Sequence, residues 1–155
     1  MIYLLFGVLF LIRAKLSGTI GKMKINRNVH YVDRQPSMQQ PFDDYRTQFY
    51  NSIEWALDIS EARFKEFELK GIPARLIRRD PESQVVITRE KALQSGWKEQ
   101  VSAENDLWPF MIELFLSSGE DDTVLVAPLG APKAKRDALL RGLSELRQLG
   151  VAEPE

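Results

Sequence analysis

The stretch that most limits what this chain can fold into runs from Asp43 to Gly71, DDYRTQFYNSIEWALDISEARFKEFELKG. Tyr45, Phe49, Ile53, Ala56, Ser60, Phe64 and Phe67 recur at steps of three and four. Winding at about 3.6 residues per turn gathers such a series on one side. Trp55, Ile59, Ala62 and Leu69 form a second stripe roughly opposite. The spacing predicts a long helix, opened by Asp43 and Asp44 where backbone N–H groups lack partners and stopped by Gly71 and Pro73. Two apolar faces need two coverings. A helix sandwiched within its own fold meets that need, as do two helices broken near Asp58, where D-I-S-E has the spelling of a capping box. Otherwise Trp55, Ile59, Ala62 and Leu69 are a surface for a protein partner or a second copy.

The following residues read as alternating elements. ARLIRRDPESQVVIT has two β-prone runs around Asp80-Pro81-Glu82-Ser83, the chemistry of a type I turn, and predicts a hairpin over 74–88. Thr88 can cap a short helix closed by Gly96. DLWPFMIELFLS predicts a helix with Pro109 in its first turn and Gly119 at its end; its nearly unbroken apolar surface calls for burial within the domain. TVLVAPL predicts a strand over 123–129. A closing amphipathic helix carries Leu139, Leu140, Leu143 and Leu146 on one face, with Gly142 inside it as a site of close packing. The expected fold class is therefore α+β: a small sheet of about three strands, hairpin 74–88 plus strand 123–129, packed against the long first helix and the C-terminal helix. The single domain is expected over 43–150, with 151–155 as a frayed tail.

Ahead of it, residues 2–12 form an uncharged run. As a helix it would be about 16 Å long against a hydrocarbon core of about 30 Å, too short for an ordinary span. No Lys or Arg precedes it, so it is a poor export signal. Residues 1–22 read as an extension or anchor, or as sequence upstream of a start at Met23, with burial as a core element the remaining reading. Residues 23–42 read as an arm or linker in which Val29–Val32 adds an edge strand. Arg13, Lys15, Lys22 and Lys24 would hold the rest of an anchored chain on the cytoplasmic side. The expected location is cytoplasmic, with membrane association through residues 2–12 left open.

Charge is segregated along the chain although the net value is −1. Arg13, Lys15, Lys22, Lys24, Arg27 and Arg34 face one acid, Asp33, in the first segment. From Glu99 to Asp122 there are seven acids and no Lys or Arg. Solvated faces of opposite sign, or a dipolar surface that orients a partner, both fit.

Catalytic signatures are absent. The chain has no cysteine, which excludes disulfides, thiolate metal sites and cysteine nucleophiles. His30 is its one histidine and lies outside the expected core, and no G-x-S-x-G elbow or phosphate-cradling glycine loop occurs. Glu68-Leu69-Lys70 has the E-x-K spelling of a large superfamily of magnesium-dependent nucleases, where it lies on a strand near another acid; here it is expected to finish a helix. No cofactor or metal is expected. The leading expectation is a non-catalytic interaction or regulatory module acting through a protein partner or self-association. The alternative is a nucleic-acid-binding regulator using Arg75, Arg78 and Arg79 of the hairpin or Lys133, Lys135 and Arg136 of the last helix. A carboxylate-dependent enzyme such as a nuclease stands third.

Overall fold

The computed structural model describes residues 3–7 (backbone only), 10–28, 36–94 and 96–153. In chain order the elements are β1 (Tyr3–Gly7), β2 (Ala14–Asn26), α1 (Gln39–Asn51), β3 (Leu57–Leu69), β4 (Ile77–Arg78), β5 (Gln84–Thr88), α2 (Arg89–Ala92), α3 (Leu107–Ser117), β6 (Asp122–Val126) and α4 (Lys133–Gln148). The class is α+β. A four-stranded sheet in the order β1-β2-β3-β4 is parallel throughout, and a two-stranded sheet pairs β5 with β6 antiparallel.

The long first helix is corrected by this arrangement. α1 ends at Asn51, and residues 57–69 are a strand. The buried positions of β3 are Leu57 and Ile59, then Ala62 and Phe64, then Phe67 and Leu69. A regular strand buries every second residue; here two steps of three interrupt the alternation and imitate helical spacing. The first falls at a bulge, where Asp58 pairs with Lys15 but Glu61 pairs with Ser17, so β3 carries one extra residue. Asp58 Oδ1 clasps it, accepting hydrogen bonds from the Ser60 N–H at 3.0 Å and the Ser60 hydroxyl at 2.6 Å. The D-I-S-E signal thus serves a bulge rather than a helix cap. The second step passes the point where Gly21 and Lys65 drop out of the ladder, and it brings the Phe64 and Phe67 rings to 4.6 Å.

These irregularities let the ribbon curve, and chain length demands that it does. Ile77 pairs beside Leu57, only eight residues after β3 ends at Leu69. Eight steps reach at most about 28 Å, whereas a straight run from Leu57 to Leu69 would be about 40 Å long. β3 therefore bends, and β2 bends with it.

Residues 14–22, expected outside the domain, belong to β2 in the interior of the four-stranded sheet. Phe10, from the apolar opening run, packs among Phe42, Tyr45, Phe49 and Tyr50, and the Leu11 N–H donates to Tyr50 Oη at 3.3 Å. Among the described residues no helix is long and apolar enough to cross a membrane. Val29–Val32 and His30 lie outside the described residues.

The hairpin over 74–88 is also corrected. A turn forms there, one residue wider than the expected type I turn: the Gln84 N–H reaches Asp80 O at 2.9 Å, and the Asp80 carboxylate accepts the Glu82 N–H and the Ser83 hydroxyl. The strands on either side go elsewhere, β4 to β3 and β5 to β6. The expected strand over 123–129 is observed as β6 over 122–126, leaving out 127–129, and it joins β5. Val86 and Val124 face the core of the four-stranded sheet; Val85, Ile87 and Leu125 face a second core with Trp108, Ile112, Leu143 and Leu146 of α3 and α4. The β5–β6 ribbon is the middle of three layers. The tail is docked rather than frayed up to Glu153: Ala152 bridges Ile87, and the Glu153 N–H donates to Val86 O. Thr88 caps α2 as expected, accepting from the Lys91 N–H at 3.4 Å.

Candidate functional site

Where β3 and β6 both present an edge, a groove of about 420 Å³ opens beneath α3. Among the described residues β6 has β5 on one side and no strand on the other, and β4 covers β3 only at Leu57 and Asp58. Residues 67–70 and 123–126, four consecutive positions from each segment, line the groove. The face of a strand offers alternate residues, so a consecutive run means that the groove follows the edge, where backbone N–H and C=O groups point. Trp108, Met111, Leu114 and Phe115 of α3 supply the apolar roof. Leu114 is 49% exposed and Phe110, on the same helix, 56%. The expectation that this apolar helix is buried holds for Trp108, Ile112 and Phe115, while these two side chains remain in water.

One end of the groove is charged. Lys24 Nζ lies 2.5 Å from Glu68 Oε2 and Lys70 Nζ 2.9 Å from Glu68 Oε1. Burial pushes the Glu68 carboxyl up, but the hydrogen bonds and charges of Lys24 and Lys70 outweigh it and hold its pKa below the ordinary value. Glu120 also reaches this end, yet its carboxylate is turned away, to Arg27 Nε at 2.8 Å and to the Gly71 N–H at 3.1 Å.

Beyond Glu120 lies a second, polar cleft of about 200 Å³, between α1 and the Gly71–Pro73 turn. Glu120, Asp121 and Asp122 line it with Arg27 and Arg46. Its groups are mostly committed to the fold. Asp122 Oδ1 accepts the Ala74 N–H at 2.9 Å, and Arg46 pairs with Asp43 at 3.3 Å. Burial pushes the Asp122 carboxyl up; the Ala74 N–H opposes this, and the charges of Asp121 and Glu120 add to it. Among the described residues no group of acids or histidines could hold a metal ion.

The residues singled out from sequence are dispersed. Ile59 and Ala62 are buried in the core, and Leu69, also buried, meets the surface only where it lines the groove. Trp55 stays partly exposed, with the Arg78 guanidinium 4.2 Å from its ring centroid. Arg75 donates to Tyr50 O and Asn51 Oδ1, while Arg79 reaches Gln84 O at 3.4 Å. Lys133 and Lys135 project from the first turn of α4, and Arg136 pairs with its neighbour Asp137. Glu68-Leu69-Lys70 closes a strand, not a helix, and its glutamate is taken up by two lysines. The early basic segment is met mainly by glutamates of β3, Lys15 with Glu61, Lys22 with Glu66 and Lys24 with Glu68, and by Glu120 alone of the acidic block, which pairs with Arg27.

Sequence reasoning missed the groove because both of its edges depend on where strands end in the sheets. The available signal was the alternation of Ala14, Leu16, Gly18 and Ile20 with Lys15, Ser17 and Thr19, which marks a strand and would have called for a partner strand elsewhere. Comparison with protein families, with characterised proteins and with solved structures finds no match.

Proposed function

We propose that this protein is a non-catalytic interaction module that captures an extended segment of a protein partner in the groove between β3 and β6. The reading is carried by the two consecutive runs, 67–70 and 123–126, that line one groove under an apolar helix. A strand edge binds by continuing its ladder, and alternate side chains of the added segment then find the apolar roof. The half-exposed Leu114 at that roof supports the same reading, since a large apolar side chain beside an open strand edge gains by being covered.

The chain has no cysteine, so Leu114→Cys can carry a single environment-sensitive dye on the full-length protein. A displayed library of random hexapeptides selected on the parent should yield sequences with apolar residues at alternate positions, and these should shift the dye. Leu114→Glu should abolish their binding while its melting curve stays cooperative. A library that yields nothing above background, or peptides that bind Leu114→Glu as well as the parent, would refute the proposal.

A further inference from the structure

β3 is built from the residues of a helix, and its state depends on one neighbour. From Ser60 to Lys70 the chain has no β-branched residue, glycine or proline, and Glu, Ala, Arg, Lys and Leu fill most positions. Left to themselves, such residues favour a helix over a strand. The local signals agree with them. Asp58 and Glu61 have the spacing of the N-cap and N3 residues of a capping box. Glu61 precedes Lys65 by four residues and Glu66 precedes Lys70 by four, the order that supports a helix. Gly71 follows with φ +91°, in the left-handed region that closes helices.

The strand turns these features to other uses. Glu61, Glu66 and Glu68 reach across to Lys15, Lys22 and Lys24 of β2, and Asp58 clasps the bulge. The ladder is interrupted at the two places where the spacing steps by three, whereas a helix would take the same spacing without interruption. Support for the strand is also one-sided: β2 pairs along Leu57–Leu69, while β4 covers only Leu57 and Asp58. Where local preference and the native state disagree, the distant pairing must supply the difference. Helical turns form from near neighbours within microseconds, whereas residues 14–25 must close a long loop to reach β3.

We infer that residues 58–70 are a two-state segment: a strand while β2 is paired beside it, and a helix opened by Asp58 and closed by Gly71 once β2 is withdrawn. Pairing with β2 thereby acts as a conformational switch. The groove lined by residues 67–70 exists only in the strand state, so the switch governs it whatever the groove holds. A lone helix in water needs about 12–15 residues, so the helical form is a partial population. The test uses the full-length protein and reads Cα chemical shifts by NMR. Thr19→Pro with Ile20→Pro breaks β2 opposite Arg63 and Phe64, removing a ladder N–H whichever of the two faces β3. Residues 59–69 should move from the strand side of the random-coil values in the parent to the helical side in this variant. Adding Arg63→Thr and Lys65→Thr, at exposed positions of β3, should return the shifts to random-coil values, because threonine is the poorer helix former. If the proline variant does not stay in solution, the parent in urea just past its unfolding midpoint gives the reading instead: a helical deviation over 59–69 that the same two threonines remove. Strand-side shifts in the proline variant would mean that β2 does not hold the segment extended. Random-coil shifts in whichever sample is read would mean that no helix competes with the strand. Either result overturns the switch.

Discussion

Asp122 holds two short segments together under an electrostatic load. Its carboxylate accepts the Ala74 N–H, yet burial, with Asp121 and Glu120 nearby, raises its pKa above the ordinary 3.8. A raised pKa means that the folded state binds the proton more tightly than the unfolded one. The contribution to stability is then complete below 3.8 and is lost as pH rises through the folded value. Asp122→Asn keeps an oxygen for the Ala74 N–H without the buried charge. Urea unfolding should find it at least as stable as the parent near pH 7, with the difference shrinking as pH falls towards about 4. A loss of more than about 1 kcal/mol at neutral pH would mean that the ionised form is needed. Gly142 poses a question of sign. Replacing glycine by alanine inside a helix gains up to about 1 kcal/mol, but a Cβ here would lie 2.7 Å from both Asn105 Oδ1 and Trp108 Cδ1. Neither neighbour can move freely: Asn105 donates to Gly142 O and Glu145, and Trp108 Nε1 donates to Leu139 O. Gly142→Ala should be destabilised by about 1–3 kcal/mol, measured as a lowered melting temperature.

At the scale of the element, β3 shows how a strand can carry the spacing of a helix. Its apolar residues are grouped as 57 and 59, 62 and 64, 67 and 69, and the steps of three fall at the bulge and at the gap in the ladder. The same residues wound as a helix form plausible stripes, so periodicity alone could not separate the two states. What decides is pairing with β2. Asp58→Ala removes the clasp on the bulge and should cost about 1 kcal/mol, since the carboxylate is well solvated. Loss of protection at the Ser60 amide in hydrogen exchange would locate the effect. An unchanged exchange rate there would mean that the ladder holds the bulge without the clasp. α3 and α4, by contrast, lie where their proline, glycine and leucine signals put them, because those signals act within a few residues.

For the molecule as a whole, the four-stranded sheet ties the beginning of the chain to its middle. A chain starting at Met23 would lack β1 and the part of β2 that pairs with residues 57–66 of β3. It should show no cooperative thermal transition in circular dichroism; a transition close to that of the full chain would make the first 22 residues dispensable to the fold. The sequence by itself determined the α+β class, the Asp80 turn, the Thr88 cap, the two later helices and the absence of cysteine chemistry. Each of these rests on residues within a turn or two of one another. Only the tertiary structure decided that β4 joins β3 while β5 joins β6, that the early lysines meet the glutamates of β3, and that Ile59 and Ala62 are core rather than surface. Strand pairing joins positions tens of residues apart, and side-chain spacing within one strand does not say which distant strand completes its hydrogen bonds.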